Sequence, residues 1–190
     1  MATTDTHDPA ERRFPEGLLW GTATAVYRHY IQRHAAVEFI VALYINMAFT
    51  AYFFWNYENV PFFGASSIVG DLLGTAVILP IVVGFIVVGR VSKHLRAGEL
   101  PIPKAARPGR IAARILPSPL WLRAIVLAIH GVLAAMLALI ALWMLRIDAM
   151  PFWLFVIFQG TFAGALAAYI VAISGYRVIV ENVQDRDMRR

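Results

Sequence analysis

Three ionisable side chains in the long apolar stretches of this 190-residue sequence are candidates to bind a proton or a cation. They are Asp71, Glu38 and His130. A charge inside a bilayer is costly, so such residues face the interior of a helix bundle and find a partner or water there. The amides of Asn46 and Gln159 are expected to hydrogen-bond between helices. The sequence therefore predicts a candidate ion or proton site at Asp71, Glu38 and His130.

The depth of Asp71 depends on where its helix begins. If the helix begins near Pro61, Asp71 lies about 15 Å inside it, which favours an intramembrane site. If the helix begins at Ser66 or Ser67, Asp71 lies near the first turn, where the helix dipole stabilises a carboxylate close to the outer surface. The sequence leaves both interpretations open.

Glu38 and His130 could also form a metal site with His34, because imidazole and carboxylate groups are metal ligands. The simpler interpretation pairs His34 with Glu38, which are four residues apart on one helical face, and gives His130 a hydrogen bond across the bundle. The same spacing predicts a pair of Arg177 with Glu181. The absence of cysteine excludes disulfides and thiolate metal sites. On the simpler interpretation we expect no metal and no cofactor. Because no nucleophile has a matching base, we also expect no enzymatic activity.

Two pairs of glycines, each spaced four residues apart, are candidate helix-packing sites: Gly70 with Gly74, and Gly160 with Gly164. Such a pair forms a shallow groove that lets another helix approach closely. We expect the second and fourth apolar segments, 68–91 and 152–173, to meet as helices through these grooves. Contact between copies in an oligomer is the alternative.

The glycine pairs stand ninety residues apart and belong to a longer internal similarity. An acidic residue, a proline and an aromatic residue recur at this offset in segments 58–63 and 148–153, and Arg33 matches Arg123. A repeat of this kind predicts duplicated structural units. Each unit would be a hairpin of two membrane helices, related to the other by an axis along the membrane normal. Convergence of two unrelated hairpins is the alternative.

Four apolar segments of about twenty residues carry these side chains, and each is long enough to span a bilayer. They are 35–55, 68–91, 121–144 and 152–173. Hydrophobic residues make up 59% of the chain and charged residues only 15%, which disfavours a soluble domain. Because strands leave backbone groups unpaired in lipid, each segment should be a helix. We predict an all-α integral membrane protein with four transmembrane helices, arranged as two parallel-repeat hairpins.

The chain divides into six predicted segments. A disordered tail precedes an amphipathic helix that lies in the cytoplasmic headgroup region, and a basic cytoplasmic linker, which includes a second short basic helix, joins the two hairpins. In order, the segments are the tail (1–17), the interfacial helix (18–34), the first hairpin (35–91), the linker (92–120), the second hairpin (121–180) and a second tail (181–190).

The distribution of positive charge predicts the orientation. Of the 17 Lys and Arg residues, only Arg146 lies in the loops that follow helices 1 and 3. This is the positive-inside pattern, so both termini are expected in the cytoplasm of a protein that spans the plasma (inner) membrane. A basic face towards anionic headgroups explains the net charge of +5 without nucleic acid.

Two functional classes fit these features. The first is a non-catalytic accessory or scaffolding subunit of a larger membrane complex, because intramembrane charges are few and no soluble domain is present. The second is a small oligomeric transporter or channel that uses Asp71, Glu38 and His130. Expected partners are the bilayer surface and other membrane-protein subunits or further copies of the chain. A hydrated cavity at Asp71 would favour transport, whereas filled glycine grooves would favour the subunit.

Overall fold

The computed structural model describes residues 19–97, 117 and 119–187, and this part of the chain forms four long helices and two short strands. The helices are α1 (Leu19–Phe54), α2 (Ile68–Arg96), α3 (Leu120–Met144) and α4 (Phe152–Asp187), and the strands are β1 (Asn59–Pro61) and β2 (Ala149–Pro151). All four helices are long and apolar enough to cross a membrane, as expected for a multipass membrane protein. The predicted tail and most of the predicted linker, including its short basic helix, lie outside the described residues.

α2 and α4 form the centre of the bundle. They pack against each other, α1 packs mainly against α4, and α3 packs mainly against α2. Within the most apolar window of each helix, 56% of the residues of α4 are buried inside the chain, but only 17% of those of α1. The peripheral helix α1 therefore presents most of its surface to whatever surrounds the protein.

α1 is one unbroken helix that continues from the segment predicted as an interfacial helix (18–34) into the first membrane span. Residues 34–36 (His-Ala-Ala), at the predicted junction, include no proline or glycine that would end a helix. The 36 residues of α1 extend about 54 Å, whereas a bilayer core is about 30 Å thick. The turns of α1 that precede the membrane span are therefore a continuation of the same helix.

A two-stranded antiparallel ribbon joins the loop after α1 to the loop after α3, a feature that the sequence reasoning missed. Val60 pairs with Met150, and both side chains are buried. The backbone N–H of Phe62 donates to the carbonyl oxygen of Asp148 at 2.9 Å, and the N–H of Phe152 donates to that of Glu58 at 3.0 Å. The ribbon closes one end of the bundle, called here the ribbon end; the opposite end, where α2 ends and α3 begins, is the linker end.

α4 begins at Phe152, directly after β2, to which Pro151 belongs. The ribbon satisfies the backbone carbonyl of Asp148, so this loop forms a strand before the helix starts. Below the ribbon, Phe155, Ile68 and Leu72 are fully buried and pack the ribbon end of the core.

Candidate functional site

Asp71 lies in the first turn of α2, because this helix begins at Ile68. Ser67 is the N-cap residue, and its hydroxyl accepts the backbone N–H of Gly70 at 3.2 Å. The N–H of Val69 donates to the carbonyl oxygen of Phe62 at 3.2 Å. Of the two helix starts that the sequence left open, the structure has the later one, and Ser67 rather than Asp71 caps the helix.

Asp71 belongs to a group of four polar residues between α1, α2 and α4, called here the ribbon-end cluster: Thr50, Asp71, Thr75 and Gln159. Gln159 is fully buried, and its Nε2 donates to Oγ1 of Thr75 at 2.7 Å and approaches the carbonyl oxygen of Asp71 at 3.5 Å. Gln159 therefore bonds between helices, as predicted. Thr50 is only 2% exposed, and its hydroxyl faces the Asp71 carboxyl group.

Two oxygen atoms of the ribbon-end cluster are buried without a hydrogen-bond partner. They are Oδ2 of Asp71 and Oε1 of Gln159. Buried polar atoms in proteins are normally paired, so each such atom calls for a specific explanation. The carboxamide of Asn46, by contrast, donates to Ala42 of its own helix at 2.8 Å and does not bond between helices.

Glu38 lies at the linker end, far from Asp71. Its Oε1 accepts a hydrogen bond from Nη1 of Arg90 at 2.6 Å. Arg90 is nineteen residues after Asp71 on α2, which is about 28 Å along the helix. The salt-bridge partner of Glu38 in the structure is therefore Arg90, in place of the predicted His34. The His34 ring packs against Tyr30, with a centroid separation of 4.3 Å.

His130 lies on α3 and meets neither carboxylate. Its Nδ1 is 2.7 Å from the carbonyl oxygen of Val126, one turn earlier in the same helix. Its ring lies 6.2 Å from that of Tyr169 on α4. The predicted hydrogen bond across the bundle is thus replaced by one within α3. The structure does not bring Asp71, Glu38 and His130 together into one site.

A second ionic group at the linker end joins α3 to α4. Nη2 of Arg123 donates to Oε1 of Glu181 at 2.6 Å, and Nε of Arg177 donates to the same oxygen at 3.1 Å. The predicted pair of Arg177 with Glu181 is confirmed. Sequence reasoning missed the role of Arg123, which is only 3% exposed. Its position near the start of a membrane span was the available signal, because a cation there requires a partner.

The two glycine pairs have different surroundings. A Cβ atom on Gly164 would lie 2.8 Å from the carbonyl oxygen of Phe39, and one on Gly160 would lie 2.9 Å from that of Leu43, so α1 fills the groove of α4. A Cβ on Gly74 would meet nothing within 4 Å. Helices α2 and α4 therefore do not meet through these grooves, contrary to the expectation.

Close approach between α2 and α3 depends on a glycine that the sequence reasoning did not select. A Cβ atom on Gly131 would collide with the carbonyl oxygen of Ala76 and would lie 2.8 Å from the ring of Pro80. A single glycine carries no spacing signal, so nothing in the sequence distinguished Gly131 from a neutral position. The crossing of α2 and α3 at Gly131 is apparent only once the packing of the helices is known.

The described cavities offer little room for a solute between helices. The cavity at the linker end, lined in part by Tyr30, His34 and Arg90, has a volume of about 10 Å³, at the lower limit for one water molecule. A groove of about 350 Å³ beside α3 is open to the surroundings and lined only by apolar side chains, among them Ile125 and Ile129. In the described ranges, no group of three or more His, Asp or Glu residues could hold a metal ion.

The chain matches no family model, no curated protein and no solved structure.

Proposed function

We propose that this protein is a non-catalytic accessory or scaffolding subunit that packs against other helices in a larger membrane complex. The groove of α4 is filled by α1, as expected for a subunit, and the observation that carries the proposal is the groove of α2, which the described chain leaves open to a helix of another subunit. Gly70 is exposed, and the space at Gly74 is empty to 4 Å. Glycines four residues apart let a second helix approach the backbone closely, and no helix of the described chain uses this groove.

The surface of α1 supports the same proposal. Its outward face is rich in aromatic side chains, with Tyr52 76% exposed and Phe53 64% exposed, and Tyr44 and Phe49 also lie on the surface. Large apolar surfaces on membrane helices can contact lipid or protein. The combination with an open groove on a neighbouring helix favours protein, because a flexible acyl chain gains less from a backbone groove than a packed helix does.

The test of this proposal is co-purification of the full-length protein from its native membrane with mild detergent. We expect a stoichiometric partner with transmembrane helices, and we expect Gly74→Leu to remove that partner while the chain itself stays folded. Gly89→Leu is the matched control, because Gly89 lies on the same helix, is exposed, has empty space to 4 Å and does not belong to the glycine pair. Recovery of the wild-type protein only as a monomer or homo-oligomer would refute the subunit proposal.

The second candidate is a small oligomeric transporter or channel that uses Asp71, Glu38 and His130. The unpartnered oxygens of the ribbon-end cluster favour it. The separation of the three residues weakens it, because a proton or cation would have to travel about 28 Å between Asp71 and the Glu38–Arg90 pair. Transport predicts that Asp71→Asn abolishes flux in vesicles while the protein still inserts; unchanged flux would remove Asp71 from this role.

Both termini are proposed to lie in the cytoplasm, with the protein in the plasma (inner) membrane and its linker end facing anionic headgroups. The support is the scarcity of Lys and Arg at the ribbon end, where Arg146 stands alone among these residues in the loops. Because the chain has no cysteine, single-cysteine variants report accessibility directly. A membrane-impermeant maleimide added to intact cells should label Glu58→Cys but not Ala97→Cys. The opposite pattern would invert the orientation.

The two hairpins are proposed to be copies of one ancestral hairpin. Val60 pairs with the residue ninety positions later, and the hydrogen bonds that flank this pair join equivalent residues of the two loops. The helix packing follows the same correspondence. The first helix of each hairpin packs on the second helix of the other hairpin: α1 on α4, and α3 on α2. If the proposal holds, the first hairpin expressed alone should associate with a second copy of itself through the Val60 strand. Recovery only as a monomer would argue against a common ancestor of this kind.

A further inference from the structure

The Asp71 carboxyl group is not needed for the start of α2. Ser67 caps Gly70, and Phe62 accepts the N–H of Val69, so the donors of the first turn that Asp71 could have served are already bonded. In a helix whose N-terminus is otherwise uncapped, an acidic residue would accept hydrogen bonds from these backbone N–H groups and so stabilise the first turn. Here the carboxyl group instead extends into the contact with α1 and α4, where Thr50 and Gln159 are buried.

The ribbon-end cluster has more acceptors than donors. The amide of Gln159 is oriented by the carbonyl oxygen of Asp71, which can only accept, so Nε2 lies on that side and Oε1 on the other. Oε1 of Gln159 and Oδ2 of Asp71 are both buried and unpartnered. An ionised carboxylate and an amide oxygen are acceptors only, and neither can satisfy the other. A positive group between them would resolve this deficit.

No side chain on the elements packed against Asp71 supplies that positive group within the described residues. α1 contributes Thr50 and α4 contributes Gln159, and neither side chain is titratable. The charged residues of the ribbon-end loops are Glu58, Arg146 and Asp148, and all three are exposed. The described ion pairs lie at the linker end and do not include Asp71.

We propose that Asp71 is a proton-binding site, in which Oδ2 carries a proton and donates it to Oε1 of Gln159. The proton comes from water at the ribbon end, to which the half-buried Asp71 is partly open, and returns there when the carboxyl ionises. No other bond changes. A single proton turns one acceptor into a donor and pairs both buried oxygens at once.

A proton fits this cluster better than a metal ion does. Hard cations such as Ca²⁺ and Mg²⁺ take about six or more oxygen ligands. The oxygen of Thr75 already accepts a hydrogen bond from Gln159, which leaves Oδ2 of Asp71, Oε1 of Gln159 and the hydroxyl of Thr50 as the side-chain oxygens available. Three ligands are too few for such an ion, whereas a proton needs only one donor oxygen and one acceptor.

The proton would link α2 to α4, with Thr50 adding α1 to the same contact. The sign of the pH dependence follows from the bond. The protonated state holds the hydrogen bond, so stability at the ribbon end is present at acidic pH and is lost as pH rises through the ionisation of Asp71. The protein would then respond to the pH of the compartment that the ribbon end faces.

Infrared spectroscopy of the full-length protein in lipid nanodiscs tests the proposal directly. At mildly acidic pH the wild type should show the carbonyl stretch of a protonated carboxylic acid, and Asp71→Asn should lose it completely. Asp148→Asn is the matched control, because Asp148 is an exposed acid at the same end of the bundle, and this variant should keep the band. Gln159→Leu removes the acceptor, so the band should remain but shift to higher frequency.

Thermal unfolding across a pH series gives a second readout that does not depend on the band. The wild type should lose several degrees of unfolding temperature as pH becomes alkaline, and Asp71→Asn, which is permanently neutral, should not. A spectrum at mildly acidic pH without a band that Asp71→Asn removes would overturn the proposal, as would equal pH dependence in both proteins. The proposal would also be overturned if sodium chloride stabilised the wild type more than choline chloride did and Asp71→Asn showed no such difference. That result would identify a metal ion as the occupant.

Discussion

The groove at Gly160 and Gly164 and the groove at Gly70 and Gly74 have the same spacing and equivalent positions in the two hairpins, yet only the first is occupied. α1 lies in the groove of α4, with its backbone carbonyls against the glycines, whereas the groove of α2 faces outward. The glycine spacing therefore indicates only that another helix can approach closely. Which helices are neighbours in the bundle decides whether the chain fills the groove itself.

The two equivalent contacts differ in which helix contributes the glycine that permits close approach. Where α1 meets α4, the glycines against the partner's backbone belong to α4; where α3 meets α2, the glycine against the partner's backbone is Gly131 of α3. α2 contributes the carbonyl of Ala76 and the ring of Pro80 to that contact, not its glycine pair. This difference leaves the groove of α2 without an internal partner. The following variants test the contrast, from the largest expected effect to the smallest.

Gly164→Leu should have the largest effect, namely loss of the folded protein. The added side chain would point at the backbone of α1, where the Phe39 carbonyl oxygen is 2.8 Å from the first added atom and cannot move aside. Overpacking at a rigid contact costs about 1–3 kcal/mol or more per site, and a leucine adds several atoms. Yield and monodispersity by size-exclusion chromatography measure the outcome. The matched control, Gly74→Leu, should elute as the wild type does; equal loss in both variants would refute the contrast.

Gly131→Ala should be the next most damaging change. Even one methyl group would collide with the carbonyl of Ala76, so α2 and α3 must separate, and we expect a loss of about 1–3 kcal/mol in the free energy of unfolding. Equilibrium unfolding in mixed micelles measures this loss. A stability equal to that of the wild type would mean that the two helices do not cross at Gly131.

Glu181→Gln should cost more than Glu38→Gln, although each removes one carboxylate from an ion pair at the linker end. Glu181 partners the buried Arg123, whose side chain is 3% exposed, so its loss leaves a buried cation with reduced compensation and costs about 3 kcal/mol. Arg90, the partner of Glu38, is 38% exposed and can turn to water, so we expect about 1 kcal/mol or less. The same unfolding experiment compares the two, and the reverse order would contradict this difference in burial.

Gly74→Ala should have the smallest effect, and its sign should be opposite to that of the others. The methyl group meets nothing within 4 Å, and alanine is favoured over glycine inside a helix by about 0.5–1 kcal/mol. We expect unchanged or slightly raised stability in mixed micelles. A clear loss of stability would show that the groove is occupied in the isolated protein, for example by a second copy.

The sequence predicted the elements better than their contacts. Helix existence follows from apolar length, and the span predicted for 121–144 differs from α3 by a single residue. The continuity of α1 was missed because a polar face was taken as evidence of a helix boundary, although no residue there breaks a helix. The ribbon was missed because strands of three residues carry almost no pattern of their own.

The candidate site was predicted only in part. Gln159 and the pair of Arg177 with Glu181 were identified because local rules apply to them: an amide in lipid needs a partner, and charges four residues apart share a helix face. The partners of Glu38 and Arg123 depend on which helices are neighbours, which spacing along one chain does not encode. A charge at a helix end therefore indicates that a partner exists, but not which residue it is.

The ribbon has a consequence for synthesis of the chain. β1 leaves the ribosome ninety residues before β2, which at about 5–20 residues per second is a delay of roughly 5 to 20 seconds. During this interval α1 lacks α4, its main packing partner, and α2 lacks both α3 and α4. The first hairpin must wait in the membrane with Glu38 and Arg90 as its described ion pair between helices. Translation of the last helix is therefore the step that commits the whole bundle to its final arrangement.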